Sequence, residues 1–191
     1  GAIGARTTES QVHRQLVSGL SMPVGFKNNS SGDVDIAVNA IVSANYQHCF
    51  YGINGNGKAA IVRTKGNKNT HVILRGSKYG TNYDVRTINK IKKKLKNKNL
   101  RENVMVDCSH GNSNQNYENQ MCVIDYISNI LCKKNDIVMG FMIESNLLEG
   151  KQKLVFGEAD NLEWGKSITD GCVDMDETEE MIKKIYSALN F

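Results

Sequence analysis

Six side chains of types that bind ions are spread along the chain, and five of them stand at the end of a short apolar run or just past it. They are Arg6, Lys27, Arg75, His110, Glu144 and Asp170. If the apolar runs are parallel strands, their carboxyl ends meet at one rim, where barrel enzymes build their active sites. Arginine and lysine bind phosphate and carboxylate groups, and an imidazole with two carboxylates suits a divalent cation. The pattern therefore predicts an anion site beside a metal site.

The three cations are the first part of this pattern. Taken singly, Arg6, Lys27 or Arg75 would ordinarily be a solvated surface charge. Placed around one cavity, they would repel one another unless an anion lay between them. Because all three follow near-continuous apolar runs, we interpret them together as an anion site.

The second part is the set His110, Glu144 and Asp170, whose donor atoms suit Mn²⁺, Fe²⁺ or Zn²⁺. A metal site usually has a fourth ligand, and the chain offers no obvious one. Cys108 stands two residues before His110, so a strand would place both on one face, but we do not favour it as a ligand. On spacing alone, a hydrogen-bonded structural histidine beside unrelated acids remains open.

Strand-like and helix-like segments alternate along the chain, which predicts βαβ units and a parallel sheet. The predicted strands are 2–6, 23–27, 71–75, 103–107 and 137–143, and the predicted helices are 9–20, 33–45, 84–98, 117–132 and 178–189. The segments 48–53 and 59–64 flank an Asn-Gly-Asn-Gly turn and predict a side hairpin. We expect 145–170 to be mostly irregular, and we expect Asp176 and Glu179 to form a capping box for the last helix.

Five βα units predict part of a (β/α)8 barrel, since a whole barrel takes about 250 residues and this chain has 191. An open doubly wound sheet is the rival. No GxGxxG or GxxxxGK[ST] motif follows a predicted strand, so that rival lacks the motif of a nucleotide site.

Composition limits the class of protein. With 40% hydrophobic residues in 191, the chain can bury the core of one domain. Five scattered cysteines favour reduced thiols, and no apolar run approaches a membrane span, so we expect a cytoplasmic protein without a membrane partner. The net charge of +4 suits an anionic substrate. The lysine-rich run 90–99 keeps an amphipathic stripe, so we interpret it as a solvated helix face rather than a nucleic-acid site.

Several long motifs resemble one enzyme family. They are GAIGARTTESQVHRQLVSGLSMPVGFKN (1–28), HVILRG (71–76), MVDCSHGNSN (105–114), MIESNLLEGKQ (142–152) and WGKSITDGC (164–172). Together they closely resemble the type I, microbial 3-deoxy-D-arabino-heptulosonate 7-phosphate (DAHP) synthases. The resemblance implies an α/β TIM barrel, of which residues 1–191 are the C-terminal part of a single domain: about the last five βα units plus the hairpin. The chain starts at Gly1 within a strand-like sequence, and we expect it to be a fragment.

The resemblance also implies an activity and its residues. The family condenses phosphoenolpyruvate with erythrose 4-phosphate in the first step of the shikimate pathway, using a divalent ion such as Mn²⁺ or Fe²⁺, in homo-oligomeric enzymes. The implied substrate-binding residues are Gly4, Ala5, Arg6, Lys27 and Arg75; the implied metal ligands are His110, Glu144 and Asp170; the implied catalytic residues are Lys27, His110 and Asp170.

Parts of the family's site are missing from this sequence. The family's first three strands carry a cysteine ligand, a Lys-Pro-Arg-Thr stretch for erythrose 4-phosphate and a glutamate near phosphoenolpyruvate. We therefore expect the chain alone to be inactive. Two alternatives are a non-catalytic remnant that acts as an interaction or regulatory module, and a related synthase that uses another aldose phosphate. Gly171 replaces the family's usual alanine, Ser77 replaces a glycine, and 156–163 is slightly long.

Members of the family are often inhibited by an aromatic amino acid between the first helix and the hairpin. The matching residues here are Leu16, Leu20, Ser21, Phe50, Gly52 and Val62. Glycine at position 52 is typical of tyrosine sensitivity and serine of phenylalanine sensitivity. Plain core packing is the alternative for the two leucines.

Overall fold

The computed structural model describes residues 1–133 and 138–189. Its centre is a five-stranded parallel sheet in the order β1-β2-β5-β6-β7. These strands are β1 (Ala2–Ile3), β2 (Val24–Lys27), β5 (Thr70–Leu74), β6 (Val104–Asp107) and β7 (Val138–Met142). Two small sheets accompany it: the hairpin β3 (Cys49–Ile53) with β4 (Ala59–Arg63), and the pair β8 (Leu148–Lys151) with β9 (Lys166–Ser167). The predicted parallel α/β sheet is confirmed, and it is consistent with part of a barrel.

Five α-helices are described alongside the sheet. They are α1 (Gln11–Ser18), α2 (Asp35–Asn45), α3 (Val85–Asn97), α4 (Gln120–Cys132) and α5 (Met175–Leu189), with short 3₁₀ turns at Tyr117–Asn119 and Ala159–Asn161. Where both ends are described, the predicted boundaries of helices α1 to α4 lie within three residues of these. The predicted start of the last strand, Ile137, lies outside the described residues.

Alternate residues of the strands divide between the two faces of the sheet. Phe26, Val72 and Val106 join the core that packs against the helices. Their neighbours Lys27 and Asp107 lie on the opposite face and reach the carboxyl-terminal rim. Both faces of β5 are buried along its whole length, which explains the continuous apolar run 72–74.

Helix α3 shows how the lysine-rich sequence folds. Asp84 caps its first turn by accepting a hydrogen bond from the backbone N–H of Thr87. Ile88, Ile91 and Leu95 are buried, and the lysines occupy the remaining faces. A solvated face was the interpretation of this run from sequence, and the burial pattern agrees with it.

The hairpin is confirmed, and its turn is stabilised by one asparagine. The side-chain oxygen of Asn54 accepts hydrogen bonds from the backbone N–H groups of Asn56 (3.0 Å) and Lys58 (3.1 Å). Gly57 takes a left-handed conformation, with φ of +74°, which glycine adopts at little cost. Phe50 then pairs with Val62 across the two strands.

One expectation about the C-terminal part was wrong. Helix α5 begins at Met175, and Asp174 caps it by accepting from the backbone N–H of Glu177 at 2.9 Å. Asp176 is thus inside the helix, and Glu179 forms an ion pair with Lys183 at 2.6 Å, so they do not form a capping box. The segment 145–170 is mostly irregular, as expected, and its regular parts are β8, β9 and the short 3₁₀ turn at Ala159–Asn161.

Candidate functional site

The carboxyl-terminal rim of the sheet encloses a cavity of about 370 Å³. Its lining residues are Gly4, Ala5, Arg6, Thr7, Lys27, Arg75, His110 and Asp170. Lys27 ends β2, Arg75 directly follows β5, and His110 follows β6 after two residues. The strand ends therefore bring together every residue expected to bind substrate, together with two of the three expected metal ligands.

Backbone packing fixes the loops that carry Arg75 and His110. Gly76 has φ of +69°, and a Cβ atom added to it would lie 2.4 Å from the backbone carbon of Gly111. A Cβ atom on Gly111 would likewise lie 2.3 Å from the backbone nitrogen of Ser77. The two loops touch through their backbones, so Arg75 and His110 keep a fixed separation.

Two buried asparagines tie these loops to the strands. Asn112 donates to the carbonyl oxygens of Leu74 (3.0 Å) and Asp107 (2.9 Å), which end β5 and β6. Asn28 accepts from the backbone N–H of Arg75 at 2.9 Å and donates to the carbonyl of Gly76 at 3.0 Å. Buried backbone groups at the rim thereby obtain partners without regular secondary structure.

The donor atoms of His110, Glu144 and Asp170 all lie within 4.8 Å of one another. Nε2 of His110 is 3.9 Å from Oε1 of Glu144 and 3.7 Å from Oδ2 of Asp170. A single ion placed between them could reach all three, and their mixed nitrogen and oxygen donors suit Mn²⁺, Fe²⁺ or Zn²⁺. The geometry fits a divalent metal.

Glu144 is positioned by a buried side chain on helix α4. Gln120 accepts from the backbone N–H of Glu144 at 2.9 Å and donates to its carbonyl at 3.0 Å. The same carbonyl accepts from the backbone N–H of Val173 at 3.0 Å. This contact draws the segment that carries Asp170 beside the end of β7.

Asp107 is a site residue that the sequence interpretation missed. Its Oδ2 accepts from Nζ of Lys27 at 2.7 Å, and its Oδ1 accepts from the backbone N–H of Ser109 at 3.0 Å. Nδ1 of His110 lies 2.9 Å from the same Oδ2, although this contact does not meet the angle of a hydrogen bond, so we regard it as an electrostatic contact. The sequence feature that could have identified Asp107 is an acidic residue at the end of an apolar strand.

The ionisation of Asp107 follows from these neighbours. Its side chain is 1% exposed, and burial by itself would raise the pKa of the carboxyl group. His110 and Lys27 oppose burial and together hold the pKa of Asp107 below its ordinary value. The carboxylate therefore stays charged, neutralises Lys27 and turns Nε2 of His110 toward Glu144 and Asp170.

His110 itself has a left-handed backbone, with φ of +56°, which is uncommon and costly for a residue other than glycine. Its carbonyl accepts from the backbone N–H of Gln115 at 2.7 Å and from the hydroxyl of Ser113 at 3.2 Å. These bonds hold the strained conformation, which is a feature that functional sites often show.

Cys108, the disfavoured fourth ligand, lies on the other face of the strand. Its side chain is fully buried in the hydrophobic core. Burial raises the pKa of its thiol, and the neighbouring Asp107 charge raises it further. A thiol that resists ionisation in a core is a poor metal ligand.

The expected effector residues lie in two parts of the structure, helix α1 with the segment that follows it and the β3–β4 hairpin. Leu16 is 54% exposed on α1, whereas Phe50 faces Val62 within the hairpin. The buried hydroxyl of Ser18 donates to Thr64 at 2.8 Å and thereby joins the end of α1 to the base of the hairpin. A Cβ atom on Gly52 would lie 2.6 Å from Cγ2 of Val62, so a larger residue at this position would displace the Val62 side chain.

The comparisons with known proteins agree with this geometry. The chain is 45% identical over 99% of its length to the tyrosine-inhibited phospho-2-dehydro-3-deoxyheptonate aldolase of Schizosaccharomyces pombe, of which it covers 51%. It is 44% identical over 96% of its length to the phenylalanine-inhibited enzyme of Saccharomyces cerevisiae, again covering 51%. The structure superimposes on the phospho-2-dehydro-3-deoxyheptonate aldolase of Francisella tularensis with a TM-score of 0.93 and 45% identity, covering all of this chain and 55% of that one.

The chain thus spans about half the length of the relatives that it matches. Among the helices of the described part, none has both the length and the apolar character needed to cross a membrane. All five cysteines are free thiols. The model of the DAHP synthetase I family matches residues 1–184, and the chain belongs to that family.

Proposed function

We propose that this chain carries the phosphoenolpyruvate-binding and metal-binding side of a 3-deoxy-7-phosphoheptulonate synthase, as the C-terminal part of one TIM-barrel domain. The observation that carries the proposal is the shared cavity, where Arg6, Lys27 and Arg75 lie beside His110 and Asp170. The family membership of residues 1–184 supports the same reaction.

In the proposed reaction, C3 of phosphoenolpyruvate attacks the aldehyde carbon of erythrose 4-phosphate. Water adds at C2, and phosphate leaves by cleavage of the C–O bond. A bound divalent ion, most suitably Mn²⁺ or Fe²⁺, supplies Lewis-acid polarisation of the aldehyde oxygen. His110, Glu144 and Asp170 would hold that ion.

The chain's own cations bind and orient the enolpyruvate substrate. Arg6 and Arg75 present guanidinium groups that match phosphate oxygens two at a time. Lys27 adds a single positive charge, kept in place by its 2.7 Å contact with Asp107. Gly4 and Ala5 line the same cavity, and we expect backbone N–H groups near them to approach the same phosphate. Holding the anion in one orientation removes much of the entropic barrier to the reaction.

The sheet ends at β1 on one side and β7 on the other among the described strands. We infer that a further N-terminal portion completes the barrel between these two edges and supplies the grip on erythrose 4-phosphate. Such a closure would also cover the inner face of the sheet.

We expect the chain alone to show no turnover. The experiment assays the purified chain with both substrates and Mn²⁺, and repeats the assay after fusion to the N-terminal half of a relative. The fusion should restore DAHP formation, and Arg75→Ala in the fusion should abolish it. Turnover by the isolated chain near that of the fusion would contradict the assignment to half of a site.

A non-catalytic remnant would behave differently. It need not bind Mn²⁺ through His110, Glu144 and Asp170, so a Mn²⁺ titration of the chain and of His110→Ala distinguishes the two cases. Loss of binding in the variant is expected for the synthase. Equal binding by both proteins would favour the remnant.

Feedback inhibition by an aromatic amino acid is a second proposal for the completed protein. Relatives named tyrosine-inhibited and phenylalanine-inhibited match almost equally well, at 45% and 44% identity. We propose tyrosine because of Gly52, and titration of the fusion with the three aromatic amino acids tests the choice. Stronger inhibition by phenylalanine than by tyrosine would overturn it.

A further inference from the structure

A second cavity, here called the second chamber, adjoins the cavity described above. It has a volume of about 230 Å³. The two cavities share Arg6, Arg75, His110 and Asp170, but Lys27 lines only the first, and Gln115, Tyr117 and Lys151 line only the second. Gln115, Tyr117 and Lys151 are not among the residues that match the family's site.

Charge distinguishes the second chamber. The charged groups of Arg6, Arg75 and Lys151 have no hydrogen-bond or ion-pair partner within 1–133 and 138–189. Lys27, by contrast, is neutralised by Asp107 at 2.7 Å, and the nearby Lys166 lies 3.1 Å from Glu163. Against the single carboxylate of Asp170 in the lining, these three unpaired cations leave a net positive charge that an anion would neutralise.

The position of Lys151 is set by backbone bonds on both sides. The backbone N–H of Gly150 donates to the carbonyl of Cys172 at 2.8 Å, and the N–H of Cys172 donates back at 3.1 Å. The N–H of Gln152 donates to the carbonyl of Ser167 at 2.8 Å. Lys151 therefore projects from a fixed strand rather than from a free loop.

Tyr117 lines the second chamber together with the two arginines. A Cβ atom on Gly171 would lie 2.8 Å from Cδ1 of Tyr117, so the glycine at this position makes room for the ring. Burial, followed by the charges of Glu149 and Glu118, raises the pKa of the Tyr117 hydroxyl. The hydroxyl stays protonated and can donate a hydrogen bond to an anion.

We propose that the second chamber binds a phosphate dianion and that Lys151 is a phosphate-binding residue of this chain. A dianion interacts about twice as strongly with three cations as a monoanionic carboxylate does. Arg6 and Arg75 offer paired N–H donors, Lys151 a point charge, and Tyr117 and Gln115 neutral donors. The proposal rests on the proposed function, since a phosphoryl group of either substrate or the released phosphate would be the occupant.

The test measures the binding of inorganic phosphate to the purified chain by calorimetry at constant ionic strength, without metal. We expect Lys151→Met to weaken phosphate binding by about tenfold, which corresponds to the loss of one charged contact. Lys153→Met removes the same charge two residues away, outside both cavities, and should change the affinity less than twofold. Lys151→Arg should retain binding, and thermal unfolding should show that all three variants fold.

Three outcomes would overturn the proposal: no phosphate binding by the unaltered chain, equal weakening by Lys151→Met and Lys153→Met, or no weakening by Lys151→Met. Because no turnover or metal is needed, failure of the proposed function would not by itself produce any of them.

Competition identifies the source of the phosphate group. If the chamber takes the phosphoryl group of phosphoenolpyruvate or the phosphate released from it, phosphoenolpyruvate should displace inorganic phosphate from the chain. If it takes the phosphate of erythrose 4-phosphate, that sugar should displace inorganic phosphate more strongly than phosphoenolpyruvate does. Displacement by neither ligand would overturn the assignment of the chamber to this reaction.

Discussion

At the scale of single residues, the site depends on one buried carboxylate. Asp107 contacts Lys27 from the anion cavity and His110 from the metal cluster, at 2.7 and 2.9 Å. Histidine ligands commonly have such a carboxylate behind them, which fixes the ring and raises its basicity. Asp107 thus links the charge of the anion cavity to the orientation of a metal ligand.

Asp107→Asn should weaken the binding of Mn²⁺ by about 10- to 100-fold, because the amide cannot hold the His110 ring by charge. Titration of the chain with Mn²⁺ checks this. Asp35→Asn is the matched control, since Asp35 pairs with Lys94 on the surface at 2.6 Å. An unchanged Mn²⁺ dissociation constant in Asp107→Asn would contradict the role given to this carboxylate.

The stability of the chain should depend on pH through the ionisation of the Asp107 carboxyl group. The pKa of Asp107 is lowered from an ordinary value of 3.8, so the folded state holds its proton less tightly than the unfolded state does. The stabilisation is complete above that ordinary value and is lost as pH falls through the lower, folded pKa. Urea unfolding measures the free energy of unfolding of the unaltered chain and of Asp107→Asn. The difference between these two free energies should shrink as pH drops below about 4. A difference that stays constant through acid pH would count against the ion pair.

At the scale of elements, buried amide side chains hold the strand ends together. Asn112→Ala would remove three hydrogen bonds, because the side chain donates to the carbonyls of Leu74 and Asp107 and accepts from the backbone N–H of Asn82. We expect a loss of about 2–4 kcal/mol in the free energy of unfolding, measured in urea. Asn56→Ala, in the exposed hairpin turn, should cost no more than about 0.5 kcal/mol. Equal effects of the two substitutions would show that the rim does not depend on Asn112.

The contact between loops can be separated from backbone strain. Gly57 and Gly76 both have positive φ, of +74° and +69°, but only Gly76 has neighbouring atoms within 4 Å of an added Cβ. Gly57→Ala should cost about 1–2 kcal/mol from conformation alone. Gly76→Ala should cost a further 1–3 kcal/mol from overlap with Gly111. Denaturant unfolding measures both, and similar losses would mean that the loops can separate freely.

At the scale of the whole molecule, the periodicity of the sequence predicted which residues lie at the ends of the strands. Arg6, Lys27 and Arg75 lie at or just past the ends of strands whose apolar runs are visible in sequence, so the rim of a parallel sheet could be predicted. His110, Glu144 and Asp170 were grouped by residue type, and the structure brings their donor atoms within 4.8 Å. Their roles as ligands stay predictions.

What the sequence did not reveal depends on contacts between distant segments. Asp107 becomes a site residue only through its contact with Lys27, which lies 80 positions earlier in the sequence. The β8–β9 pair, and with it the position of Lys151, depends on hydrogen bonds from Gly150 to Cys172 and from Gln152 to Ser167. No local periodicity signals such pairs. The cap of α5 was misassigned because Asp174 and Asp176 are both suitable residue types, and only the structure chooses between them.

The bare backbone contact between Gly76 and Gly111 has a thermodynamic consequence. With no side chain between them to absorb a displacement, any shift of the Arg75 loop on closing around an anion must pass directly to the His110 loop. Anion and cation affinities should then be linked, and by reciprocity each ligand should alter the other's dissociation constant by an equal factor.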